Sequence, residues 1–329
     1  MNIGLDIGYS AVKAVSGDRR VTFPSAVGTP DKGRFSLNGT TSIVLLQPEH
    51  VQVGESAITQ SRFLNRREDR HWIQGDEWYS LYLAILTELT TATAVDLHIV
   101  TGLPVAFYGD RDTVRDRLLG EHRTQRENRH AQVFRVVDCR VIPQPFGCLL
   151  SATLDDHGNV TDKALATGAV GVIDVGGKTT NLLSVNRLAE IGRETASVST
   201  GAWDAVRAVR EWLADHCPDL DIRDHQVIDA IIARQVKYYG EPVDLAGIVD
   251  ATLEPMAQQV LSSATQLWNG AAALEAILVS GGGALLLGPY IKAHFRHARV
   301  VADPVFANAV GYWRFCQYLD RQQSNIAHQ

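Results

Sequence analysis

"MNIGLDIGYSAVKAV", residues 1–15, opens the chain. Ile3, Leu5 and Ile7 alternate with Asn2, Gly4, Asp6 and Gly8, the period of a strand. Gly8-Tyr9-Ser10 forms a turn, and Ala11–Val15 reads as a returning strand. Asp6 stands at the end of an otherwise apolar run. A buried carboxylate costs several kcal/mol unless something pairs with it. What Asp6 faces therefore decides how the chain is read.

The stretch has an echo. Residues 6–16 read "DIGYSAVKAVS" and residues 174–184 read "DVGGKTTNLLS". Asp6 matches Asp174, Gly8 matches Gly176 and Ser16 matches Ser184, 168 positions apart in each case. Each copy follows an apolar strand, so the chain reads as two related halves that begin with one hairpin. Two unrelated hairpins would give the same local pattern, because Asp-x-Gly is common at turns. A third element adds weight. "AILVSGGGALLLGPYI", residues 276–291, sets an apolar strand against Ser280, Gly281, Gly282 and Gly283, with a helix-like run beyond. Consecutive glycines let a backbone approach a ligand closely. A helix N-terminus beyond such a turn favours bound phosphate. Two Asp-ended turns facing one another would make a phosphate clamp. Their N–H groups would hold oxygens as an anion nest, and their carboxylates would hold Mg²⁺ through its waters.

Composition bounds the class. The 329 residues are 45% hydrophobic and 21% charged, ordinary for a globular chain long enough for two domains. The net charge of −6 argues against a broadly basic nucleic-acid surface. No leader peptide is expected, since Asp6 interrupts any apolar run, and no stretch approaches a membrane span. Cys139, Cys148, Cys217 and Cys316 lack metal-ligand spacing. They read as reduced thiols of a cytoplasmic protein.

Taken in order, "LDIGYSAVK", "IDVGGKTTN" and "LVSGGGALL" resemble the two phosphate motifs and the adenosine motif of the actin-like ATPase superfamily. "PQPFGCLLSA", residues 143–152, and "DPVFANAVGYWRF", residues 303–315, resemble its two connecting motifs. "VTFPSAVG", "VQVGESAI", "VTGLPVAFY" and "FANAVGY" narrow the resemblance to prokaryotic actin-like proteins of the ParM/StbA plasmid-segregation type and their archaeal relatives. The resemblance implies an α/β, actin-like fold of two related domains with nucleotide in the interdomain cleft. Domain I would span 1–154, with a C-terminal helix over 309–325 packing back on it, and domain II would span 155–308.

The same resemblance implies ATP or GTP with Mg²⁺ as cofactors. Asp6 and Asp174 would orient the metal's water shell. Gly8, Tyr9, Ser10 and Lys13 would hold the β-phosphate region, and Gly176, Gly177, Lys178 and Thr179 the γ-phosphate side. Gln144, in the first connector, would position the attacking water. Gly281, Gly282 and Gly283 would pack near the adenosine, and a helix carrying Arg234, Gln235 and Lys237 is placed for further base or ribose contacts. The role of Lys178 stays open. The implied function is a nucleotide-dependent filament-forming ATPase that polymerises head to tail and segregates plasmid or other DNA through a DNA-binding adaptor protein. It would bind neither nucleic acid nor membrane directly. The alternatives are a non-polymerising ATPase acting as scaffold or regulator, and a small-molecule kinase or phosphatase of the same superfamily.

Elsewhere the pattern is structural. Val133–Ile142 reads as a strand, Phe146–Leu154 as the start of a helix, and Ile248–Trp268 as a long amphipathic helix. "WDAVRAVREWL" and "VIDAIIARQV" carry apolar faces at helical spacing. Residues 155–168 read as a polar link between domains. The span 61–79 mixes Arg62, Arg66, Arg67 and Arg70 with Phe63, Trp72 and Trp78, and with Glu68, Asp69, Asp76 and Glu77. It reads as a solvated loop or self-association surface with exposed tryptophan rather than a nucleic-acid site. "GEHRTQRENRHAQ", residues 120–132, reads as a solvated charged loop.

Overall fold

The computed structural model describes residues 1–31, 42–65 and 70–327. Glu68 and Asp69 lie outside them. The chain divides into two compact units, 1–162 with 308–329, and 163–307.

The strands of the first unit are β1 (Asn2–Ile7), β2 (Ala11–Ser16), β3 (Arg19–Pro24), β4 (Val27–Gly28), β5 (Ile43–Gln47), β6 (Val51–Val53), β7 (Leu64–Asn65), β8 (Ala94–Leu103), β9 (Gly120–Arg126) and β10 (Gln132–Pro143). Those of the second are β11 (Ala169–Val175), β12 (Thr180–Asn186), β13 (Ala189–Glu190), β14 (Ala196–Val198), β15 (Gln235–Tyr238), β16 (Glu241–Asp244), β17 (Ala276–Ser280) and β18 (Ala298–Val300). The helices are α1 (Glu55–Gln60), α2 (Asp76–Leu89), α3 (Arg111–Leu118), α4 (Phe146–Thr153), α5 (Lys163–Thr167), α6 (Ala202–His216), α7 (Asp224–Ala233), α8 (Ala246–Leu267), α9 (Ala284–His294) and α10 (Ala307–Ala327).

Both main sheets follow one plan. In the first unit the order runs β3-β2-β1-β8-β10, and in the second β13-β12-β11-β17-β18. In each, the second and third strands are the antiparallel hairpin, and the next two run parallel to its first strand. The first sheet continues through β9, β5, β6, β4 and β7. Parallel central strands are buried on both faces, so they read as continuous apolar runs. Ile3, Leu5, Leu97, Ile99, Val172, Ile173, Ile277 and Leu278 are all essentially without solvent exposure.

Helix α10 packs against the first sheet at glycine. A Cβ on Gly4 would overlap the Ala309 carbonyl oxygen, so only glycine lets the helix lie directly on β1. The same happens where α4 meets α10. Side chains at Gly147 or Gly311 would run into the other helix's backbone. Asn308 Oδ1 accepts from the Cys148 N–H at 3.0 Å at the start of α4.

Three sequence expectations are corrected here. Trp72 and Trp78 are buried, at 4% and 3% exposure, and belong to the first unit's core; Phe63 is the exposed aromatic, at 75%. Trp78 lies near the start of helix α2, and the charged Asp76 and Glu77 fall in that helix's first turn, where the dipole favours them. Residues 120–126 form strand β9 rather than a loop. Its inward positions are polar (His122, Thr124, Arg126), so alternation by hydropathy does not reveal it. Residues 155–162 stay with the first unit. Arg314 bonds Asp156 (2.9 and 2.7 Å) from α10, and Gly158 lies against the backbone of Tyr318.

Candidate functional site

Two polar clusters stand at the ends of β1 and β11, one in each unit. In the first, Asp6 is 2% exposed. Its register partner across the hairpin is Lys13, whose Nζ lies 3.1 Å from Asp6 Oδ2. The other oxygen, Oδ1, accepts from Gln144 Nε2 at 2.9 Å. The buried carboxylate is thus held by one cation and one amide. The sequence reading sent Lys13 to phosphate and Gln144 to water; both side chains meet at Asp6.

Gln144 is itself fixed at its backbone. Its N–H donates to the Leu103 carbonyl (2.7 Å), and its carbonyl accepts from the Tyr312 hydroxyl (2.9 Å). Gly102 makes room for that arrangement, since a Cβ there would overlap the Tyr312 hydroxyl. The turn after Asp6 closes through Gly8 N–H to Ala11 O at 3.1 Å. Ser25 clamps it from the side, donating twice: Oγ–H to Gly8 O (2.5 Å) and N–H to Ser10 O (3.0 Å). The Tyr9 ring stacks on Trp72, centroids 4.9 Å apart and planes 25° apart.

In the second cluster Asp174 is likewise 2% exposed. Across its hairpin stands Asn181, which is held by Ser197 Oγ–H at 2.7 Å. On the other side stands Ser280, its register partner on β17, whose hydroxyl donates to Asp174 Oδ1 at 3.0 Å. The turn closes through Gly176 N–H to Thr179 O at 2.9 Å. Helix α6 then begins against it: Ala202 N–H donates to Gly176 O (3.0 Å) and Trp203 N–H to Gly177 O (2.8 Å). Lys178 and Thr179 complete the turn.

The glycine turn belongs to this second cluster. Gly281 has φ +86, a conformation that favours glycine. A Cβ on it would stand 2.7 Å from Asp174 Oδ1. Gly281 N–H donates to Pro304 O (2.8 Å) and Gly283 N–H to Val175 O (2.9 Å), so the turn is pinned against the end of β11. A Cβ on Gly282 would meet nothing within 4 Å. Helix α9 follows at once.

The sequence-predicted residues therefore gather into two groups. Asp6, Gly8, Tyr9, Ser10, Lys13 and Gln144 come together in the first unit; Asp174, Gly176–Thr179 and Gly281–Gly283 do so in the second. Arg234, Gln235 and Lys237 do not lie on a helix. Helix α7 ends at Ala233, Arg234 caps it at φ +55 and pairs with Asp250 (2.6 Å), and Gln235 and Lys237 lie on β15. Sequence reasoning missed Ser25, Trp72, Ser280 and Tyr312 as supports of these groups. Only Ser280 carried a signal, its place just before three glycines.

Two domain families match this chain. A model of the actin-like proteins' N-terminal domain matches residues 4–147, and one of the archaeal MreB-like actin homologues' C-terminal domain matches residues 172–293. The chain belongs to the actin-like superfamily. Solved structures share the fold of this actin-like protein. An archaeal actin homologue in complex with ADP is 20% identical with a TM-score of 0.79, covering 98% of this chain and 99% of that one. A 15-stranded ParM filament from Clostridium botulinum is 23% identical with a TM-score of 0.77, covering 95% and 98%. The actin-like protein Alp7A is 14% identical with a TM-score of 0.76, covering 100% and 99%. No curated protein matches the chain.

The donor chemistry bears on a metal. Among the described residues no group of three or more His, Cys, Asp or Glu could cage an ion. One carboxylate at the end of each hairpin fits Mg²⁺, which keeps several waters and takes substrate phosphates as ligands rather than a protein cage. Among the same residues no helix is long and apolar enough to cross a membrane.

Proposed function

We propose that this actin-like protein is a nucleotide-dependent ATPase that assembles into filaments. The observation that carries the proposal is the duplication: two hairpins of one topology, each ending in a buried carboxylate held by a polar partner on an adjoining element. A carboxylate kept in place at such cost, in duplicate, is explained by a shared ligand better than by stability alone.

Gly8, Tyr9 and Ser10 would hold the β-phosphate by their backbones, and Gly176, Gly177, Lys178 and Thr179 the γ-phosphate. Asp6 and Asp174 would orient the water shell of Mg²⁺, which when bound neutralises charge developing on the phosphates. Gln144 would keep its amide on Asp6 and offer its carbonyl oxygen to an attacking water. An amide is a weak base, which suits slow hydrolysis used as a timer. Gly281–Gly283 would admit the adenosine. The relative solved with ADP and the one solved as a filament support this reading at the level of the fold. Head-to-tail contacts are heterologous and propagate without closing. A net charge of −6 favours an adaptor protein between such a filament and DNA cargo.

The test is Mg-ATP turnover measured across protein concentration. A filament former shows turnover per subunit that rises above a threshold. Asp174→Ala should lower turnover at least about tenfold, roughly 1.4 kcal/mol of barrier. Concentration-independent turnover would remove the filament reading, and wild-type turnover in Asp174→Ala would remove the site.

A further inference from the structure

The two hairpin turns are held in place by different means. In the second, backbone N–H groups at the start of α6 fix the carbonyls of Gly176 and Gly177. The first turn is held by Ser25, on the stretch after β3, and by a ring stack of Tyr9 on Trp72. The position equivalent to Tyr9 in the second hairpin is Gly177, which has no side chain to anchor.

Trp72 is a buried platform. It is 4% exposed, sits in the helical turn Arg70–Gln74, and its carbonyl accepts the Gly75 N–H at 2.9 Å just before α2 begins. Helix α2 is almost wholly buried from Trp78 to Leu86. A side chain stacked on this platform holds its own backbone still. A turn that grips phosphate through N–H groups gains affinity when those groups are already aimed, because less ordering is needed on binding.

We infer that Trp72 is a positioning residue for nucleotide binding, acting through the Tyr9 ring to pre-set the Gly8–Ser10 turn. The inference rests on the nucleotide reading above. An aromatic pair is worth about 1 kcal/mol beyond its buried area, which corresponds to roughly fivefold in affinity.

The experiment is isothermal titration with ADP in Mg²⁺ buffer. It compares wild type, Tyr9→Ala, Tyr9→Phe, Trp72→Leu, Trp72→Phe and the double variant Tyr9→Ala/Trp72→Leu, each checked for a native circular-dichroism spectrum. Expected are roughly fivefold weaker binding for Tyr9→Ala and Trp72→Leu, and binding within twofold of wild type for the two phenylalanine variants. The double variant should be no weaker than either single one, since both remove the same contact. A general packing defect would instead give additive losses and no rescue by phenylalanine. Should Trp72→Leu fail to fold, Tyr9→Ala tests the stack from the half-exposed side. Wild-type affinity in folded Tyr9→Ala, or additive losses, overturns the inference while leaving the nucleotide reading intact. A wild-type protein that binds no ADP overturns the nucleotide reading itself, and the inference with it.

Discussion

Replacing Lys13 by methionine isolates what holds Asp6. The carboxylate is 2% exposed, with Lys13 Nζ at 3.1 Å on one oxygen and Gln144 Nε2 at 2.9 Å on the other. Methionine keeps most of the stem's volume and removes the charge. Removing one partner of a buried pair costs about 3–5 kcal/mol, because the remaining charge is left uncompensated. Here the amide of Gln144 stays and the lysine side chain is 15% exposed, so the cost falls at or below the bottom of that range, about 2–3 kcal/mol. With a urea slope of about 2.5 kcal/mol/M, the midpoint of the first unit's unfolding should drop by roughly 1 M. Asp6→Asn/Lys13→Met removes both charges and leaves an amide facing Gln144. It should recover most of the loss, to within about 1 kcal/mol of wild type. Urea titration followed by circular dichroism gives all the values. A Lys13→Met midpoint within about 0.3 M of wild type, under 1 kcal/mol at that slope, would mean the pair does not hold Asp6. A double variant no better than the single would mean that the charge on Asp6 is not the source of the cost.

Two further outcomes follow from the first unit. Gly311→Ala puts a Cβ into the Gly147 carbonyl, backbone against backbone, and should cost about 2–3 kcal/mol, whereas Gly109→Ala meets nothing within 4 Å and should stay within about 0.5 kcal/mol; equal midpoints for the two would refute the close crossing of α4 and α10. His122 is pushed below its ordinary value by burial, partly offset by its bond to the Leu118 carbonyl, and as a neutral ring it also accepts from the Tyr79 hydroxyl (2.8 Å). The unfolded chain takes up a proton near pH 6.5 while the native chain does not. Wild-type stability relative to His122→Gln should therefore be greatest above about pH 6.5 and shrink as pH falls toward the lower native value; a difference that is flat between pH 5 and 7.5 would contradict the burial of a neutral ring.

The hairpins were legible because their signal is local. The strand-end Asp, a glycine turn and a returning strand lie within eleven residues, and the copy at 174–184 repeats them in register: Asp6 opposite Lys13, Asp174 opposite Asn181. The three glycines at 281–283 were legible for the same reason. What was hidden depends on distant contacts. Strand β9 turns His122, Thr124 and Arg126 inward, where Tyr79, the Gln47 carbonyl and the Ser42 carbonyl receive them, and polar residues with remote partners read as loop. Trp72 looked like surface beside its arginines, yet it meets a tyrosine more than sixty positions earlier. Gln235 continued the apolar period of α7, but Arg234 takes a left-handed conformation and ends the helix one residue before it. Gln144 and Lys13 were both identified as site residues. Their shared contact with Asp6 could not be read, because it depends on the register of β1 with β2 and on where β10 delivers the first connector.

Nucleotide should drive self-association of this chain. Sedimentation of the purified chain with Mg²⁺ and ATP, ADP or a slowly hydrolysed ATP analogue, with the pellets viewed by electron microscopy, tests it most directly. Filaments should form with the analogue at least as well as with ATP, and with ATP more than with ADP. Protein that stays monomeric at tens of micromolar with every nucleotide would contradict it.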